Sequence, residues 1–159
     1  PFEFSIEMNL ELHKNSLLII ICVQNRSEKI MPFSFGLHPY FNVIDLKNIQ
    51  IKGLSDQCFN HLNMTKDSTQ EQLLKLHKGV DFLSNSGGFV SFFDVTSNSS
   101  IEMYHPEPMD LAVVWTDPPR KMVCLEPWTS PRKSLISGER MLAIEPGDSV
   151  ELNCRFLSN

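Results

Sequence analysis

His38 and Glu126 are the side chains whose type and setting favour chemistry over packing. His38 lies in Met31-Pro32-Phe33-Ser34-Phe35-Gly36-Leu37-His38-Pro39-Tyr40-Phe41-Asn42, among three phenylalanines, a tyrosine and two prolines. Pro39 fixes its own backbone angle and pushes the preceding residue into an extended conformation, which would aim the imidazole. The plain alternative is a buried histidine satisfied by a backbone carbonyl. Glu126 follows the apolar run Val123-Cys124-Leu125 and precedes Pro127-Trp128. A carboxylate at the end of a buried strand is costly to desolvate unless it is paired or used. Its plain alternative is a salt bridge to Arg120 or Arg132. Asp81, in Gly79-Val80-Asp81-Phe82-Leu83, is flanked by apolar residues and reads either as a site carboxylate or as a turn stabiliser. A carboxylate and an imidazole facing each other suit proton transfer at both ends of one small substrate. Nucleophilic hydrolysis fits less well: the sequence has no Gly-x-Ser-x-Gly elbow, no cysteine with an evident activating partner and no phosphate-cradling glycine loop.

The elements that must position these residues read as strands. Phe2, Phe4, Ile6 and Met8 alternate with Glu3, Ser5 and Glu7, and Leu10 and Leu12 continue the same face. The polar His13-Lys14-Asn15-Ser16 predicts a hairpin into Leu17–Val23. A short strand is expected near Ile49 to Ile51. The segment from Asp56 to Lys78 is the least strand-like, and with Ser68 and Glu71 at capping-box spacing it reads either as a helical turn or two that Gly79 stops or as a loop over the sheet edge. Strands are expected again at Phe89–Val95, Ile101–Tyr104 and Met109–Trp115, the last nearly continuous in apolar residues and so central. Met122–Leu125, Arg140–Ile144 and Ser149–Leu157 complete the set, with Glu145-Pro146-Gly147-Asp148 as a turn. Many short strands and almost no helix predict an all-β antiparallel sandwich, a single domain over residues 1–159.

The composition is that of a globular chain, with 42% hydrophobic and 21% charged residues in 159. A formal net charge of −5 leaves no footprint for nucleic acid or an anionic membrane surface. The longest apolar run, Leu17 to Val23, is far shorter than the ~20 residues of a membrane span. Cys22, Cys58, Cys124 and Cys154 show neither a CxxC pair nor metal-ligand spacing. Cys22 and Cys154 read as small core residues, no structural metal is expected, and a reducing, cytoplasmic setting is. The alternation already running at Phe2 reads as if the chain starts inside a domain, with any targeting peptide upstream.

Pro32-Phe33-Ser34-Phe35-Gly36-Leu37-His38-Pro39-Tyr40-Phe41 resembles the histidine motif of the aldose 1-epimerase (galactose mutarotase-like) superfamily. Cys124-Leu125-Glu126-Pro127-Trp128-Thr129 resembles the glutamate motif of its bacterial and plant branches, which include hexose-6-phosphate mutarotase-like proteins. Gly79-Val80-Asp81-Phe82, Val114-Trp115-Thr116, Ser137-Gly138-Glu139 and Pro146-Gly147 follow the family's order. The resemblance implies a galactose mutarotase-like β-supersandwich, of which this chain is similar to the C-terminal part. It also implies an isomerase that interconverts α and β anomers of a hexose or hexose phosphate without cofactor or metal. By resemblance, His38 is the general acid at the ring oxygen, Glu126 the general base at the anomeric hydroxyl, and Asp81 a ligand of sugar hydroxyls. The family's arginine and second histidine lie nearer its N-terminus, at positions this sequence does not contain. Tyr40, Trp115 and Trp128 are candidate faces for the pyranose ring, or core residues. Arg120, Lys121, Arg132 and Lys133 are candidates for a phosphate-binding rim. The runners-up are a sugar-binding or regulatory module of the same fold without turnover, and a glycoside-processing enzyme in which Asp81 is the second carboxylate.

Overall fold

The computed structural model describes residues 2–159. In chain order the elements are β1 (Phe4–Leu12), β2 (Ser16–Asn25), β3 (Met31–Phe33), β4 (Tyr40–Asn42), β5 (Ile49–Lys52), β6 (Gln57–Asn60), β7 (Thr65–Ser68), α1 (Thr69–Leu73), β8 (Val80–Asn85), β9 (Phe89–Asp94), β10 (Ser99–Tyr104), β11 (Leu111–Thr116), β12 (Met122–Trp128), α2 (Ser134–Ser137), β13 (Leu142–Ile144) and β14 (Ser149–Ser158). Two six-stranded sheets, ordered β1-β2-β14-β10-β9-β5 and β4-β12-β11-β8-β6-β7, stack on each other, and β3 and β13 form a separate ribbon. Neighbouring strands pair antiparallel throughout, as in β1 with β2 and β11 with β12, so this is the expected all-β antiparallel sandwich. No helix among the described residues is long and apolar enough to cross a membrane.

The core forms where alternating strands turn their apolar sides toward each other. Phe92, Met103, Cys154 and Phe156 of the first sheet meet Val80, Phe82, Ala112, Val114, Val123 and Leu125 of the second. A smaller cluster, Ile21, Val23, Met31, Ile144 and Leu152, seals β2 and β14 against the β3–β13 ribbon. Cys154 is wholly buried and Cys22 half-buried.

β1 departs from this pattern. Ile6 pairs with Val23 and Met8 with Ile21, so its apolar side shares the inward face of β2. Yet Phe4, Ile6, Met8, Leu10 and Leu12 are 47% to 82% exposed. The first sheet runs one strand past the layer beneath it. The alternation identified the strand correctly, but nothing in it reveals whether a second layer reaches that far.

The segment from Asp56 to Lys78 holds more strand than the sequence suggested, a β6–β7 hairpin ahead of α1. Its turn runs through Met64 at φ 60, a left-handed position without the glycine that usually marks one. The expected cap is present: Ser68 Oγ accepts from the Glu71 N–H at 3.4 Å. Gly79, at φ 98, ends the helical stretch.

A candidate acid–base site on the outer face of the second sheet

Strand register lays the site out. Cys124 stands opposite Tyr40 on β4 and Trp115 on β11, and Trp115 stands opposite Asp81 on β8. Residues directly opposite in antiparallel strands share a face, so Tyr40, Cys124, Trp115 and Asp81 form one row across the sheet. This is the face turned away from the core. Two residues along β12, Glu126 begins the next row with Val113 and Leu83. Glu126 therefore lies inside β12 rather than at its end, and the strand continues through Pro127 and Trp128.

His38 reaches Glu126 because the chain between β3 and β4 runs alongside the end of β12. The Leu37 N–H donates to the Pro127 carbonyl at 3.1 Å, and the Thr129 N–H donates to the Phe35 carbonyl at 2.9 Å. Gly36 bridges to Trp128 in this stretch. A Cβ at Gly36 would come within 2.7 Å of Trp128 Cδ1, so only glycine permits this approach. The imidazole then stacks on Tyr40 at 4.8 Å and meets Trp115 edge-on at 5.4 Å. Its Nε2 lies 3.4 Å from Glu126 Oε1, with side-chain exposures of 50% for His38 and 2% for Glu126. His38 is thus a half-open imidazole held by aromatic rings.

Glu126 Oε2 accepts a hydrogen bond from the Trp128 indole N–H at 3.1 Å. Burial pushes the Glu126 carboxyl from its ordinary 4.5 up to about 7; the nearby Asp81 charge adds to the rise, while Trp128 and Arg132 oppose it. Neither Arg120 nor Arg132 pairs with it. Arg120 pairs with Asp117 and lies over the Trp115 ring at 5.1 Å, and Arg132 donates to Asp81 Oδ2 at 2.9 Å. A carboxylate that changes charge near neutrality, in contact with an imidazole, can exchange protons with a small molecule in either direction.

Both groups open into a cavity of about 590 Å³ lined by Gly36, Leu37, Trp128, Arg132, Lys133 and Ile136, among others. Of the four candidate rim cations, Arg132 and Lys133 line it. Both also line a second cavity of about 610 Å³ over Phe59, Leu83 and Leu111. Asp81 stands outside the lining of the first cavity, behind Arg132. It is not a turn residue. Burial pushes its carboxyl up, but the hydrogen bond and charge of His61, with Arg132, hold it below the ordinary value. Tyr40 contributes its ring to the His38 stack, and Trp128 lines the cavity wall.

The strand reading of the sequence missed His61. It lies just past β6, and its Nδ1 is 2.7 Å from Asp81 Oδ1. The signal was present in weak form, because Cys58 and Asn60 turn one way and Phe59 and His61 the other. Ligand atoms of His38, Cys124 and Glu126 lie within 4.8 Å of one another, a spread wider than the roughly 3.3–3.8 Å between donors on tetrahedral zinc. Burial, with the Glu126 charge, also pushes the Cys124 thiol up to about 12.

The family model for aldose 1-epimerase matches residues 1–157. The Slr1438 protein of Synechocystis sp. PCC 6803 superposes with a TM-score of 0.94 at 28% identity, covering 100% of this chain and 56% of that one. A galactose mutarotase-like protein of Clostridium acetobutylicum has the same fold, with a TM-score of 0.81 at 20% identity over 99% of this chain and 56% of its own. A Haemophilus influenzae protein named "Putative glucose-6-phosphate 1-epimerase" is 27% identical over 71 residues, 44% of this chain and 26% of that protein. This chain thus spans just over half the length of the two solved structures. With the motifs, the sandwich and the family match in agreement, the chain belongs to the aldose 1-epimerase family.

Proposed function

We propose that this chain carries the acid–base pair of a mutarotase acting on a hexose or hexose phosphate. The observation that carries the proposal is the contact between His38 and the buried Glu126, whose carboxyl titrates at about 7. Glu126 takes the proton of the anomeric hydroxyl, and the O–H electron pair becomes the second bond of a C1 carbonyl. The C1–O5 bond breaks, and O5 receives the proton of the His38 imidazolium. Rotation about C1–C2 then presents the other carbonyl face. Ring closure runs the steps backward, returning one proton to His38 and the other to O1. The cycle balances without an oxidant or reductant.

Arg132 and Lys133 at the cavity, together with the name of the Haemophilus relative, support a phosphorylated hexose as the substrate. Polarimetry with α-D-glucose and exchange NMR with glucose 6-phosphate test both parts. Glu126→Gln and His38→Asn should each lower the exchange rate by ~10²–10⁴-fold while the fold persists. Wild-type rates in either variant would overturn the assignment. A glycoside-processing role is less well supported, because both Asp81 oxygens are engaged and Asp81 lies outside the cavity lining.

Residues 1–159 are proposed as one domain that forms the C-terminal part of a longer sandwich. The uncovered β1 face and the 56% coverage of the relatives support this. The half-open His38 favours one second reading, a sugar-binding module without turnover. Saturable sugar binding with no acceleration of anomer exchange would select it.

A further inference from the structure

Arg132 borders two cavities, and the Asp81–His61 pair anchors it there. Its Nη2 donates to Asp81 Oδ2 at 2.9 Å. The other oxygen, Oδ1, is 2.7 Å from His61 Nδ1, and the His61 side chain is fully enclosed while that of Asp81 is 15% exposed. His61 is itself held from several sides. Its backbone N–H donates to the Asp81 carbonyl at 2.8 Å, and its ring stacks on Trp128 at 5.9 Å and meets Phe59 edge-on at 6.0 Å. A carboxylate only accepts, so Nδ1 carries the proton. Nε2 is buried and finds no hydrogen-bond partner among the described residues. Leaving a buried polar atom unpaired costs free energy, so packing alone would favour an apolar ring here. The bond from Nδ1–H to a carboxylate is of the strong, charge-assisted kind and offsets that cost.

We propose that His61 is a positioning residue for substrate binding. By fixing Asp81 Oδ1, it leaves Oδ2 aimed at Arg132 and keeps the guanidinium in the wall of the cavity that holds His38 and Glu126. The proposal rests on the reading of that cavity as a sugar site. Without the clamp, Asp81 turns and Arg132 is free to lean into the second cavity over Phe59 and Leu83. Arg132 holds ground state and transition state alike, so its displacement raises KM and leaves kcat in place.

His61→Phe and His61→Asn separate the hydrogen bond from the packing. Phenylalanine keeps the stack on Trp128 and lacks the donor; the asparagine amide places a donor close to the Nδ1 position. The expected result with glucose 6-phosphate is a KM about tenfold higher in His61→Phe with kcat within about threefold, and a KM largely restored in His61→Asn. An unchanged KM in His61→Phe, or equal impairment of the two variants, would overturn the proposal. An NMR measurement needs no turnover. The His61 ring should show a protected Nδ1–H proton in nitrogen-edited spectra, and an unprotonated Nδ1 would overturn the proposal. If the wild-type chain binds glucose 6-phosphate without accelerating anomer exchange, and His61→Phe weakens that binding about tenfold, the positioning role stands and the mutarotase reading falls.

Discussion

Glu126 and Trp128 sit two residues apart on β12, on the same face, and the indole N–H of one donates to Oε2 of the other at 3.1 Å. That hydrogen bond favours the ionised carboxylate against a burial that disfavours it. Proton uptake by a general base depends on its ionised fraction, so with Glu126 in the base role proposed above, mutarotation should rise with pH through about 7. Trp128→Phe removes the donor and keeps most of the ring. The rising limb of the rate–pH profile should then move to higher pH.

Asp81→Asn should move the same limb the other way. The Asp81 charge raises the Glu126 carboxyl, and removing it lets Glu126 ionise at lower pH. The substitution also loosens Arg132, whose charge lowers the Glu126 carboxyl by less than Asp81 raises it, so KM should rise while the acid shift is partly offset. A limb that stays in place in both variants would show that a group other than Glu126 controls it.

Burial of the Glu126 carboxyl should also cost stability. Its folded value of about 7 lies above the ordinary 4.5, so the folded state favours the protonated form. Below about 4.5 both states are protonated and no penalty applies. The penalty grows between 4.5 and 7 and is full above 7. Glu126→Gln should therefore raise unfolding stability by about 1–3 kcal/mol at pH 8 and leave it nearly unchanged at pH 4. Denaturant melts at the two values check this.

Gly36→Ala tests how His38 is delivered. The new Cβ would lie 2.7 Å from Trp128 Cδ1, so either the strand or the ring must move. A stability loss of about 1–3 kcal/mol is expected, together with a fall in kcat as the His38–Glu126 and Trp128–Glu126 contacts separate. Thermal melts and single-substrate kinetics read the two effects separately.

The face of β1 should behave as open apolar surface. Five large side chains on one strand exceed the scattered exposure usual for a soluble domain. The chain should bind anilinonaphthalene sulfonate in its folded state. Replacing Ile6 and Leu10 together with lysine should reduce that fluorescence without lowering Tm. A protein in which the sandwich continues over β1 should show little such fluorescence to begin with.

The alternation of β14 and the apolar runs of β2 and β11 were legible because a half-buried or central strand imposes its pattern on the residues themselves. The β6–β7 hairpin was not, because Gln57-Cys58-Phe59-Asn60 alternates weakly and the turn at Met64 carries no glycine. His61 was hidden for the same reason. Its neighbour Asp81 could be nominated, but their contact depends on which strand lies beside β8.

The sequence by itself determined the chemistry available to this protein. A histidine held before a proline among aromatic rings, and a carboxylate set in an apolar run, remain an acid and a base wherever the chain places them. Only the tertiary structure decided that they meet. Antiparallel register put Glu126 on the outer face of β12, and the close approach of Gly36 to Trp128 brought His38 within 3.4 Å of it. Burial by the surrounding sheet then moved the carboxyl to about 7. Register and desolvation arise from contacts between residues far apart in the chain, and no local pattern encodes them.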